Sequence, residues 1–145
     1  MTAEAGIMRQ VSVERIFADN QARLGLHWVA GRLGGNRVLT GEAALKPTIG
    51  QVGHMNFIHP FRIQILGAAE LAYLGALAQG ELEGSIDRLF TAELVAIVVA
   101  NGEEVPPHLA IKCDANHIAL FTSAHPSPHL VEVFRLFLSR VLAES

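Results

Sequence analysis

Four of the seven histidines stand in pairs whose spacing could serve a metal ion: His54 with His59, and His125 with His129 at i, i+4. Two imidazoles one helical turn apart are half of a common zinc site. The second pair, however, straddles Pro126, Ser127 and Pro128, which sets His125 ahead of the helix that holds His129 and removes the helical meaning of the spacing. Hydrogen-bonded or solvent-facing histidines are therefore the expectation, with no metal site. Cys113 could act as a nucleophile only beside a base, and its place in an amphipathic run points to a packed thiol. The densest chemistry is in Gly53 to Gly67, GHMNFIHPFRIQILG, where polar groups interrupt an apolar run. We expect His54, Asn56, His59 and Arg62 to form a polar patch that ties a loop to the following strand and offers a docking surface.

These residues need a scaffold, and the hydrophobic pattern supplies one. Ser12 can cap a helix over Ser12 to Leu24, with Val13, Ile16, Phe17 and Leu24 on one side and Gly25 after its end. His27 to Arg32 and Arg37 to Thr40 are predicted as strands of a hairpin about Gly34-Gly35-Asn36. Thr48 to Val52 is extended, and Pro60 biases His59 the same way, which leaves a loop between them. From Arg62 onward aliphatic runs alternate with helical periodicity. Arg62 to Leu66 leads into a helix over Ala68 to Ala78. A further short helix with Ser85 as its cap falls within Gln79 to Glu93. Leu94 to Ala100, apolar on both faces, is the predicted centre of the sheet and leads to a helix opening near Pro107. Ile118 to Phe121 leads to Ser127, the cap of a last helix with Pro128 in its first turn. Alternation of this kind predicts an α/β fold in three layers, a largely parallel or mixed central sheet with helices on both faces.

The catalytic motifs of large enzyme classes are missing. No G-x-x-x-x-G-K-[ST] loop, no G-x-G-x-x-G and no G-x-S-x-G occurs in the 145 residues. With 11 basic and 14 acidic residues, a net charge of -3 and no basic stripe, nucleic acid is not an expected partner. Leu94 to Ala100 is far short of the ~20 apolar residues of a membrane span, and a lone cysteine cannot form an internal disulfide. We expect a cytoplasmic protein of one domain, residues 1–145, with no membrane partner.

Gly53 to Gly67, with Glu70, closely resembles the G-H-x-N-F-I-H-P-x-R-h-Q-h-h-G segment (h, apolar) of the N-terminal domain of the HPr kinase/phosphorylase family. Ser12 to Leu24 resembles that family's first helix. Leu120 to Ser123, followed by Pro126, Ser127 and the Leu130 to Leu142 helix, resembles the end of the same domain. The resemblance implies an accessory or regulatory domain of a bacterial, oligomeric enzyme that phosphorylates and dephosphorylates a serine of HPr, the phosphocarrier of the sugar phosphotransferase system, and so controls carbon metabolism. It implies that the chemistry, with ATP and Mg, belongs to a second, P-loop domain missing from these residues, so that this chain holds no catalytic residue and no cofactor. The implied partners are that catalytic domain and its neighbouring subunits, with HPr as a further candidate. The family's domain is also similar in fold to the first domain of the muramyl ligases, which implies an alternative: a free-standing module that senses a small ligand or nucleotide. In open α/β sheets such ligands lie beyond the carboxyl ends of the strands, here Gly67, Ala68, Asn101, Thr122 and Ser123.

Overall fold

The computed structural model describes residues 10–40, 48–52, 55–59, 62–91 and 94–142. Ser12 sits in extended backbone at φ -83, and its Oγ accepts the Arg15 N–H at 3.1 Å. Helix α1 (Val13–Leu24) follows and ends at Gly25 in the left-handed region, φ 60. Its core side chains Val13, Ile16 and Leu24 are buried, while Arg15 and Asp19 pair on the wet side at 3.1 Å.

The strands are β1 (Gln10–Ser12), β2 (His27–Ala30), β3 (Val38–Thr40), β4 (Thr48–Val52), β5 (Met55–His59), β6 (Ile63–Leu66), β7 (Ala96–Val99) and β8 (Ala119–Thr122). Six of them form one sheet in the order β2-β8-β7-β6-β5-β4, and β1 pairs with β3 apart from it. β6, β7 and β8 run parallel; β2, β5 and β4 join antiparallel. The sheet is thus mixed, parallel at its centre. The helices after β6 are α2 (Ala68–Gly75), α3 (Gln79–Asp87), α4 (Pro107–Asn116) and α5 (Ser127–Leu142).

Strand alternation divides the interior into two cores, one on each face. Ile63, Ile65, Ala96, Val98, Ala119 and Phe121 face α1 and α5, where Ile16, Leu24, Leu130, Phe134 and Leu138 meet them. Leu66, Ile97, Val99 and Leu120 face α2, α3 and α4 through Leu71, Leu74, Ile86, Leu89, Leu109 and Cys113. Every residue of β7 is buried, as its unbroken apolar run requires, and β7 stands inside the sheet. The three-layer α/β expectation holds.

Several local expectations do not. β2 and β3 make no hairpin: Arg32–Asn36 is a 3-10 turn, and the two strands join different sheets. The cause is close packing. Gly31 (φ +65) donates its N–H to Asp114 Oδ1 at 2.7 Å, a Cβ on it would fall 1.7 Å from the Ile118 carbonyl oxygen, and Arg37 donates to the carbonyls of His117 and Asn116 at 2.8 and 3.0 Å. The glycines let the turn lie against the end of α4, so they are not hairpin residues. Met55–His59 is a strand and not a loop; it pairs with β4 along its length and places Ile58 opposite Ile65 of β6. Its polar residues hid the strand. Arg62 is outside β6, held at φ 71 with its carbonyl accepting the Val95 N–H at 3.1 Å, because a left-handed residue cannot continue a ladder. Ser85 is no cap: it is buried within α3, its Oγ accepting from the Arg88 guanidinium at 3.1 Å, and Ala78 precedes the helix. α5 begins one residue early, at Ser127, since the Pro126 carbonyl accepts from His129 and Leu130 at 3.1 and 3.2 Å.

Candidate functional site at the carboxyl edge of the sheet

Three parallel strands end together, and backbone bonds hold the segments beyond them in place. After β7, the Ala100 N–H donates to the Leu66 carbonyl at 2.8 Å, which aligns the ends of β7 and β6. Asn101 and Gly102 then reverse the chain at φ 64 and φ 68, which asparagine and glycine tolerate best. The segment after β8 lies over this reversal: the Asn101 N–H donates to the His125 carbonyl at 2.7 Å and the Gly102 N–H to the Ser123 carbonyl at 3.0 Å.

Ser123 is the knot of this edge. It is 2% exposed, its N–H donates to the Val99 carbonyl at 3.0 Å, and its Oγ donates to the Leu24 carbonyl at 2.7 Å while accepting the His125 N–H at 3.1 Å. Both roles of the hydroxyl are spent on structure. Thr122 is half-buried at the end of β8, opposite His27 in the ladder. Asn101 is exposed, its side chain donating to Glu103 Oε2 at 3.3 Å. Gly67 precedes α2, and the Glu70 carboxylate accepts its N–H at 2.7 Å, a return bond that satisfies a donor at the helix start. A Cβ on Gly67 would lie 2.8 Å from Ser127 Oγ, so the first turns of α2 and α5 approach each other here.

Gly67, Ala68, Glu70, Asn101, Thr122 and Ser123 therefore gather at one end of the sheet. Arg62 lies at the other end of β6, half-buried. Asn56 and His59 are on β5, at positions of opposite parity, and His54 lies outside the described residues. A hollow of about 290 Å³ opens beside Thr122 and Ser123, lined also by Gly25, His27, Gly102, Glu103 and Ala124. Of these, Gly25, His27, Gly102, Glu103 and Ala124 escaped sequence reasoning as site residues. His27 arrives through antiparallel pairing between residues far apart in the chain, which no local pattern encodes.

The His125 and His129 rings meet with centroids 4.9 Å apart despite the prolines between them. Among the described residues no group of three or more His, Cys, Asp or Glu could hold a metal ion. Cys113 is fully buried, and its thiol is pushed up to about 12, first by burial and then by the nearby Asp114 charge. It is a packed thiol, not a nucleophile. No helix among the described residues is long and apolar enough to cross a membrane.

The chain is similar to proteins named HPr kinase/phosphorylase. One from Chromobacterium violaceum is 41% identical over 138 residues, which cover 95% of this chain and 43% of that protein. One from Neisseria meningitidis serogroup C is 45% identical over 139 residues, again 95% of this chain and 43% of the relative. One from an Azoarcus species is 41% identical over 138 residues, 94% of this chain and 43% of the relative. The chain thus spans less than half the length of these relatives. The family model described as HPr Serine kinase N terminus matches residues 11–138, from β1 to the last turns of α5. With its mixed sheet, its two cores and this match along nearly all its length, the chain belongs to the HPr serine kinase N-terminal domain family.

Proposed function

We propose that this chain is a non-catalytic, accessory and regulatory N-terminal domain of an HPr kinase/phosphorylase, acting on the sugar phosphotransferase system and carbon metabolism through a catalytic domain and its neighbouring subunits. The match over residues 11–138, against relatives more than twice as long, carries this reading. The chemistry of the chain agrees with it. Phosphoryl transfer from a nucleotide needs a loop of backbone N–H groups with a lysine reaching the phosphates, and ATP with Mg²⁺ to react. The only lysines are Lys46 and Lys112, neither of which follows a glycine, and Lys112 is paired to Asp87 at 3.5 Å. The expected result is no transfer of labelled phosphate from ATP to HPr by the purified chain, and an altered rate when it is joined to a relative's catalytic part. Phosphorylated HPr from the chain alone would overturn the reading.

A small-ligand module is the second reading, favoured by the hollow of about 290 Å³ at the carboxyl edge of the sheet. Against it, the N–H groups of Asn101, Gly102 and Ser123 and the hydroxyl of Ser123 are already bonded within the fold. A nucleotide that raises the melting temperature in a saturable way, and loses that effect in Thr122→Val, would establish it.

A further inference from the structure

We propose that the groove between α2, α3 and residues 103–107 is a docking site for a partner-protein segment that presents an aliphatic side chain flanked by arginine or lysine. The groove measures about 280 Å³ and is lined by Leu71, Leu74, Gly75, Leu82, Glu103, Glu104, Val105, Pro106 and Pro107. That volume is below the roughly 300–1,000 Å³ of a drug-sized pocket, so it suits a side chain better than a cofactor. Leu71 and Leu74 make an apolar floor that is part of the core, and Leu82 and Val105, only partly buried, form its walls.

Charge on the rim selects the occupant. Among the described residues of the lining, Glu103 and Glu104 are the charged groups, and no cation stands with them. Three acids elsewhere meet bases, Asp19 with Arg15, Asp87 with Lys112 and Glu132 with Arg135. Glu103 instead takes a 3.3 Å bond from the Asn101 side-chain amide and also borders the hollow beside Thr122, and neither it nor Glu104 has an ion pair among the described residues. An apolar segment alone would cover two carboxylates without compensation, and an acidic one would be repelled. A segment with a basic residue beside its aliphatic anchor satisfies both parts of the groove.

Backbone resonances of the isotopically labelled 145-residue chain, titrated at low salt, provide the test. The probes are acetyl-Arg-Leu-Arg amide, acetyl-Arg-Gly-Arg amide and acetyl-Glu-Leu-Glu amide. Saturable shifts centred on Leu71, Leu74, Leu82, Glu103 and Val105 are expected with the first probe only. The double substitution Glu103→Gln, Glu104→Gln should weaken binding roughly three- to tenfold, the scale of two exposed ion pairs, whereas Glu132→Gln on α5 leaves it unchanged. Equal response to the glycine or glutamate probe, scattered shifts, or no saturable response would overturn the proposal. So would a double variant that melts lower yet binds as before, because the carboxylates would then serve only the start of α4.

Discussion

The Ser123 hydroxyl donates to the Leu24 carbonyl at 2.7 Å, joining the end of β8 to the last turn of α1 across 99 residues of sequence. Helix ends leave carbonyls unsatisfied, and this one is buried against a side chain that also accepts the His125 N–H. Ser123→Ala removes both bonds at once and should cost about 1–3 kcal/mol, the scale of buried polar groups left without partners. A urea melt of the variant with an unchanged midpoint would show that water replaces the hydroxyl at no cost.

Two glycines separate strain from crowding. Gly25 and Gly31 have nearly the same φ, +60 and +65, but a Cβ on Gly25 meets nothing within 4 Å, whereas one on Gly31 falls 1.7 Å from the Ile118 oxygen. Gly25→Ala should therefore cost only the left-handed penalty, about 1–2 kcal/mol. Gly31→Ala must in addition push the 3-10 turn off α4, and should cost clearly more. Equal melting midpoints for the two would contradict the close approach.

Val98 has no exposed surface and sits on β7 between β6 and β8. Val98→Asp would bury a carboxylate in an aliphatic and aromatic core and should cost several kcal/mol or prevent folding. Circular dichroism and a denaturant titration decide it; near-native stability would contradict the sheet order.

Cys113 gives a pH dependence of known sign. Its thiol is held at about 12 in the folded chain against an ordinary value of 9.0, because burial and then Asp114 disfavour the thiolate. A raised value means that the folded state keeps its proton when the unfolded state loses it. The contribution is complete below 9.0 and is lost as pH rises from there toward about 12. Native Cys113 should resist thiol reagents at about pH 8 until denaturant is added. The fall in stability above 9.0 should be smaller in Cys113→Ala than in the parent, and an equal fall would refute the assignment.

The layers of this fold were legible because their signals are local. Ser12 and Gly25 delimit α1 by capping chemistry, and the unbroken run around Val98 identifies a strand covered on both faces. What escaped the sequence depends on distant partners. Gly31 looks like a hairpin glycine until Ile118 is placed against it, and Met55–His59 looks like a loop until β4 and β6 flank it. At the site, Asn101, Thr122 and Ser123 were found because residues after parallel strands fall on one edge, whereas His27 comes there only through its pairing with Thr122. That the Ser123 hydroxyl is committed to Leu24 could not be read from either neighbourhood.

The pairing of β2 with β8 sets an order of events during synthesis. β2 stands at the edge of the sheet, and its neighbour among the described strands is β8, residues 119–122. While the ribosome is still making the middle of the chain, β2 has emerged but its ladder neighbour has not, and the face that α1 covers also awaits α5, which ends at Leu142. Native closure is therefore a late step, taken only when almost all of these residues have left the exit tunnel. A chain cut short before β8 leaves β2 without its neighbour in the ladder as well as losing its own end.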